Sequence, residues 1–163
     1  MKTRFLLVVS LFILLNSCQE KPANNLSNNF IGTWTLLKCI ATQQDGKVSF
    51  PFGENPRGKV IYDAHGKMMA VITHEEVKKF KGQNPFQGTP NEIIPAYNGT
   101  ISYFGSYTIV ADSSMVIHSI EACSFPNWVG QQQKRRYEFK DDLLILRTPS
   151  IGSIQYELIW KRN

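Results

Sequence analysis

An all-β chain closed as an antiparallel up-and-down barrel of about eight strands is the fold class this sequence predicts, and three observations carry it. Short runs with period-two alternation recur from residue 32 to residue 162, each bounded by Gly, Pro, Asn or Asp. Helical material is confined to one long insertion, so no strand-helix alternation argues for a parallel sheet. The first and last runs are both patterned as strands, and pairing them with one another removes two exposed edges.

The elements follow in order. From Gly32 to Ile40, Trp34, Leu36 and Ile40 are apolar while Thr33 and Thr35 are not, which places the even positions inward, with Lys38 interrupting the pattern. Asp45-Gly46, Pro51, Gly53 and Asn55-Pro56 mark a loop. Gly58 to Tyr62 and Lys67 to Thr73 flank Asp63-Ala64-His65-Gly66 as a hairpin. Thr73 and Glu76 have capping-box spacing, which predicts a short helix over His74–Lys81, and a second helical turn is expected over Asn91–Asn98. In the second half Ile101, Tyr103, Gly105, Tyr107 and Ile109 share a face that should be inside. Met115 to Cys123 is apolar on both faces, so its orientation stays open. From Gln131 to Phe139 the charged even positions turn Arg135, Tyr137 and Phe139 inward, and after Leu143–Thr148 the run Ile154, Tyr156, Leu158, Trp160 closes the chain.

The 163 residues make one domain's worth of chain, and 42% hydrophobic content excludes disorder for most of it. Two of the 18 basic residues, Lys2 and Arg4, precede the apolar run Phe5–Leu15 and belong to what reads as a secretory leader. The excess of positive charge left after them is modest, so nucleic acid is not an expected partner. The leader ends in Leu15-Asn16-Ser17-Cys18, which resembles the lipobox of bacterial lipoproteins. That resemblance implies lipidation of Cys18 and a membrane contact through this anchor. It also implies an exported protein of the cell envelope, at the outer membrane or the periplasmic face. Residues 1–17 are then the signal peptide, the Asn-rich segment 18–29 a flexible tether, and 30–163 the barrel domain.

Gly32-Thr33-Trp34 resembles the G-x-W signature of lipocalins and related calycins. The series GENPRGKVIYDAHGKM, YFGSYTI, SFPNWVGQQQKRRYEF, DLLILRTP and LIWKR resembles the small bacterial and fungal lipocalin-like domain family. The resemblance implies a calycin-type barrel in which Trp34 closes one end under a basic residue of the last strand, Arg162 or its neighbour Lys161.

Arg135 is the most informative single residue, because an inward arginine is costly unless it meets an oxygen-bearing partner. That partner is either a bound molecule or the protein's own acid or aromatic ring. With Tyr103, Tyr107, Tyr137 and Tyr156 as aromatic wall, and His118 if its face is inward, Arg135 makes the candidate ligand-binding set. A histidine satisfied at the sheet surface is the plainer reading of His118. His118 and Glu121, three apart in a strand, point to opposite faces and make no dyad. Phe125 and Trp128 either rim the opening or plug a barrel end. Cys39 and Cys123 either pair or remain buried thiols. The scattered histidines His65, His74 and His118 make no metal cluster, and no catalytic residue or cofactor is assigned. Three functions stay in play. The first is binding of a small hydrophobic or amphipathic molecule in the lumen. The second is a cyclase or isomerase using the same cavity, and the third a structural barrel filled by its own side chains.

Overall fold

The structure, a computed structural model, describes residues 25–163. Its strands are β1 (Gly32–Gln43), β2 (Val48–Ser49), β3 (Arg57–Tyr62), β4 (Lys67–Thr73) and β5 (Thr100–Val110), followed by β6 (Met115–Cys123), β7 (Gln132–Lys140), β8 (Leu143–Arg147) and β9 (Ile154–Arg162). Apart from β2, each pairs antiparallel with its neighbours in sequence, and β1 pairs with β9 from Trp34↔Arg162 to Gln43↔Ile154. Eight strands therefore close into a barrel, and β2 is a short addition on β1 through Ala41↔Ser49 and Thr42↔Val48.

The alternating faces turn inward as the pattern predicts on β5 and β7, and β6 resolves with Val116, His118 and Ile120 inside. In β1 the expected even face holds only for Trp34 and Leu36. The register then shifts between Leu36↔Trp160 and Lys38↔Ile159, so Leu37 is a bulge residue and the inward positions become Cys39 and Ala41. Lys38 breaks the alternation because the strand changes parity there. A second register shift, between Phe104↔Ala122 and Gly105↔Ile120, leaves Glu121 unpaired on β6.

The helical expectations are corrected in part. His74–Lys81 forms no helix: the Glu75 carboxylate instead accepts hydrogen bonds from the backbone N–H groups of Glu54 (3.2 Å) and Asn55 (2.9 Å), and pins the segment to the 44–56 loop. The capping chemistry is used further on, at α2 (Pro90–Asn98). There the Glu92 carboxylate accepts from both the N–H and the hydroxyl of Thr89, each at 2.8 Å, and Pro90 opens the helix. The loop expected around Asp45–Pro56 contains β2. Asn25–Phe30, assigned by sequence to the tether and the domain's first residue, forms the short helix α1. The leader and Cys18 lie outside the described residues.

α1 exists to deliver Phe30 into the barrel. The ring is fully buried and meets Tyr62, Tyr137 and Phe139 edge-on at centroid distances of 5.3, 5.0 and 5.0 Å. Such burial is worth about 1.5–3 kcal/mol, and the edge-to-face pairs add to it. Trp34 lies beside this plug and donates its indole N–H to the Phe30 carbonyl at 2.9 Å. Arg162 covers the Trp34 ring from outside at 4.1 Å and donates to the carbonyls of Ile31 (2.9 Å) and Asn29, tying α1 to the last strand. Gly32 is needed between them: its φ is +134°, and a Cβ there would stand 3.2 Å from an Arg162 guanidinium nitrogen. One end of the barrel is thus sealed by its own aromatic side chains.

Gly105 gives the sharpest test of the wall. A Cβ at this position would fall 1.9 Å from the Ser119 carbonyl oxygen on β6, a backbone atom that cannot move without opening the bulged pairing. Gly105→Ala is expected to cost more than the about 0.5–3 kcal/mol of an ordinary point change, whereas Gly82→Ala, which has open space around it, stays within about 0.5 kcal/mol. Urea denaturation midpoints of the two variants check this.

Candidate functional site

Above the aromatic plug the lumen is not filled. A cavity of about 440 Å³ occupies this half, within the range of small-molecule sites. Its walls are mostly apolar, with Val60, Ile72, Ile101, Leu146, Leu158 and Trp160 contributed by strands all round the barrel. Its mouth is framed by Phe52 from the 44–56 loop, Tyr97 and Asn98 from the end of α2, and Phe125 and Trp128 from the β6–β7 connection. Phe125 precedes and Trp128 ends a 3-10 turn over Pro126–Trp128, and the two rings are edge-on to one another at 6.0 Å, so the FPNW segment rims the opening.

Of the six predicted ligand-binding residues, Tyr103, His118, Arg135 and Tyr156 line this cavity. Tyr107 and Tyr137 do not; both belong to the aromatic plug. Tyr107 packs edge-on against Tyr62 at 4.9 Å and donates its hydroxyl to the Asp63 carbonyl at 2.8 Å, and Tyr137 packs on Phe30. Inward facing alone does not separate the two halves, because residues two apart on a strand share a face but differ in depth.

His118 is 1% exposed and sits at the boundary between plug and cavity, which corrects the surface reading of it. Its Nε2 lies 2.8 Å from the Tyr62 hydroxyl, and its Nδ1 lies 3.3 Å from the Tyr103 hydroxyl. Donor counting assigns the protons. Tyr62 is buried, and among the described residues its hydroxyl has His118 as its hydrogen-bond partner, so it donates to Nε2. Nδ1 then carries the ring proton and donates to the Tyr103 oxygen, and the Tyr103 hydroxyl proton is left free for an acceptor in the lumen. Burial, reinforced by the Arg135 charge, lowers the His118 pKa from 6.5 to about 3, so the ring is neutral. Burial likewise raises both tyrosines and pushes the Cys39 thiol up to about 12.

Arg135 is 6% exposed. One guanidinium N–H donates to the neighbouring Lys134 carbonyl at 2.9 Å, and the group stands 5.8 Å from the Trp128 ring. Among the described residues it has no carboxylate partner: the ion pairs formed there are Lys67–Glu121, Arg147 with Glu138 and Glu157, and Lys161–Asp142. Among the described residues the Trp160 indole N–H is a buried donor with no hydrogen-bond partner. Among the described residues Cys39 and Cys123 form no disulfide, and Cys39 lines the cavity. Among the described residues no group of three or more His, Cys, Asp and Glu is placed to hold a metal ion.

Sequence reasoning missed Tyr62, which orders His118, and Phe52 and Thr148, which line the lumen. The hairpin pattern marked Tyr62 as a strand residue, but its partner is 56 positions away and only the closed barrel brings them together.

The neutral His118 makes stability depend on pH. Between about 6.5 and 3 the unfolded chain takes up a proton that the folded chain refuses. The contribution of burying a neutral ring is present in full above about pH 6.5 and is lost as pH falls toward 3, by up to about 1.4 kcal/mol per pH unit. Thermal melting from pH 7 to pH 4 is expected to fall more steeply for the parent than for His118→Gln. Imidazole NMR resonances of His118 should not titrate between pH 5 and 8.

A sequence profile of the Lipocalin-like domain matches residues 31–163, which takes in every strand of the barrel. The 4'-hydroxy-3'-methoxypropiophenone carrier protein ppsC of Aspergillus oryzae is 32% identical over 87 residues, half of this chain and 78% of that protein. Among solved structures, a de novo designed fluorescence-activating β-barrel is 14% identical, covers 86% of this chain and all of its own, and superposes with a TM-score of 0.44. The wild-type fluorescent protein UnaG is 15% identical over 83% of this chain and 98% of its own, with a TM-score of 0.39. From the profile match and the closed eight-stranded barrel, this chain belongs to the lipocalin-like domain family.

Proposed function

We propose that the protein is a lipid-anchored carrier that holds a small, mostly apolar molecule in the open half of its barrel. The observation that carries this reading is the half-filled lumen. One end is plugged by Phe30, Tyr62, Tyr137 and Phe139, while the other keeps a cavity of about 440 Å³ with apolar walls and a few convergent polar groups. A barrel stabilised only by its own packing has no use for that void, since unfilled core volume costs about 24 cal/mol per Å³. The relative named as a carrier of an aromatic ketone supports transport or storage over chemistry. His118 adds to this: both ring nitrogens are engaged by tyrosine hydroxyls, so neither is free to take a proton from a substrate.

The anchor rests on Leu15-Asn16-Ser17-Cys18 after a charged and then apolar leader. Acyl chains at Cys18 would keep the barrel at a membrane surface, and more than one chain is needed for stable attachment.

Two measurements test this reading. Native mass spectrometry of protein purified from its own host is expected to find one small molecule per chain. Ile101→Trp, which puts an indole into the cavity, should lose that mass while keeping the fold. Retention of the molecule by Ile101→Trp would remove the lumen as its site. For the anchor, Cys18→Ala is expected to move the protein from the membrane to the soluble fraction, and continued membrane association would count against lipidation there.

A further inference from the structure

We propose that the molecule carried is an organic acid bound in its ionised form, with its anionic oxygens on Arg135 and Tyr103 and its apolar body against the uncharged side chains that line the rest of the cavity, Phe52 and Ile101 among them. This rests on the carrier reading and adds the charge, class and orientation of the cargo.

A guanidinium keeps its charge inside a folded protein, so a buried arginine does not escape its desolvation cost by becoming neutral. It is normally matched by a carboxylate, and Arg135 has none among the described residues. The titratable groups nearest it are Tyr62 on β3, Tyr103 on β5 and His118 on β6, and Cys39 on β1, Tyr97 on α2 and Tyr156 on β9 line the same cavity. None is an acid of the carboxylate kind. Burial holds the thiol, Tyr62, Tyr103 and the imidazole in their neutral forms. The cavity thus contains one full positive charge and nothing of opposite sign.

The hydrogen-bond inventory points the same way. The Tyr103 proton is free once His118 Nδ1–H donates to its oxygen, and among the described residues the one hydrogen bond of the Arg135 side chain goes to a backbone carbonyl. Arg135 and Tyr103 both offer donors. The complement of a cation with added donors is an anion with several lone pairs, a carboxylate or the phenolate of an acidic phenol. The Tyr62–His118–Tyr103 chain explains the order: it fixes the Tyr103 oxygen as an acceptor from the ring and so directs its proton to the ligand. Among the described residues Arg135 is the one residue of the lining that carries a full charge, so the apolar part of the cargo lies against the uncharged walls.

The test compares a matched acid and amide on the purified full chain at pH 7.5, both displacing the neutral apolar fluorophore N-phenyl-1-naphthylamine. 2-Naphthoate is expected to compete at least about tenfold better than 2-naphthamide. In Arg135→Met that preference should vanish while the fluorophore still binds, and the unliganded variant should melt at the same temperature as the parent or higher, because an uncompensated charge has been replaced by a methyl thioether. A merely structural arginine would give the opposite shift in melting. Tyr103→Phe, which keeps the charge and removes one donor, should reduce the preference without abolishing it. Equal competition by acid and amide in the parent, or a preference that survives in Arg135→Met, would overturn the proposal and leave the carrier reading standing. Failure of all three probes to bind would overturn both.

Discussion

Strand β1 has to satisfy two partners, since its first residues pair with β3 and its whole length from Trp34 onward pairs with β9. Closure of the barrel hangs on this double pairing. It works because Leu37 is bulged out of register, which bends β1 and lets Trp34 and Leu36 point inward on one side of the bulge and Cys39 and Ala41 on the other. Below the bulge the inward residues are large and join the aromatic plug. Above it they are a thiol and a methyl, and the cavity begins there. One extra residue therefore couples closure of the wall to the division of the lumen into a filled half and an open one.

The open half is built for recognition by what it withholds. A packed barrel would have put a Leu or a Phe where Arg135 stands, or an acid beside it. Instead the charge is buried 5.8 Å from the Trp128 ring and has no carboxylate partner among the described residues. The Tyr62–His118–Tyr103 chain beneath it supplies rigidity, because a fully buried polar chain keeps its order only when each member has a partner. Stability is concentrated at the Phe30–Trp34–Arg162 end and binding capacity at the other, so the cost of the cavity does not fall on the seal.

Much of this was legible in the chain. Alternation on β5, β7 and β9 gave the facing of Tyr103, Arg135 and Trp160, and the isolated charge at Arg135 stood out because every other charged residue of its strand lies on the opposite parity. The seal at Trp34 was legible from G-x-W and the terminal arginine. Less legible were positions where one residue changes parity or competes for a partner. The Leu37 bulge shows in the chain only as the break in alternation at Lys38, and the Glu121 bulge is one that no local pattern announces. The Thr73–Glu76 spacing promised a helix that does not form, since Glu75 is held by the 44–56 loop and the same chemistry succeeds at Thr89–Glu92.

By itself the sequence determined the class of fold, the direction in which most strands face and the presence of one inward charge, because each of these follows from periods of two along the chain. Only the tertiary structure decided depth. Tyr107 and Tyr137 face inward like Tyr103 and Tyr156, yet the first pair fills the plug and the second lines the cavity. Depth depends on strand stagger and on where α1 inserts Phe30, and both are set by contacts between residues far apart in sequence, as between Asn29 and Arg162.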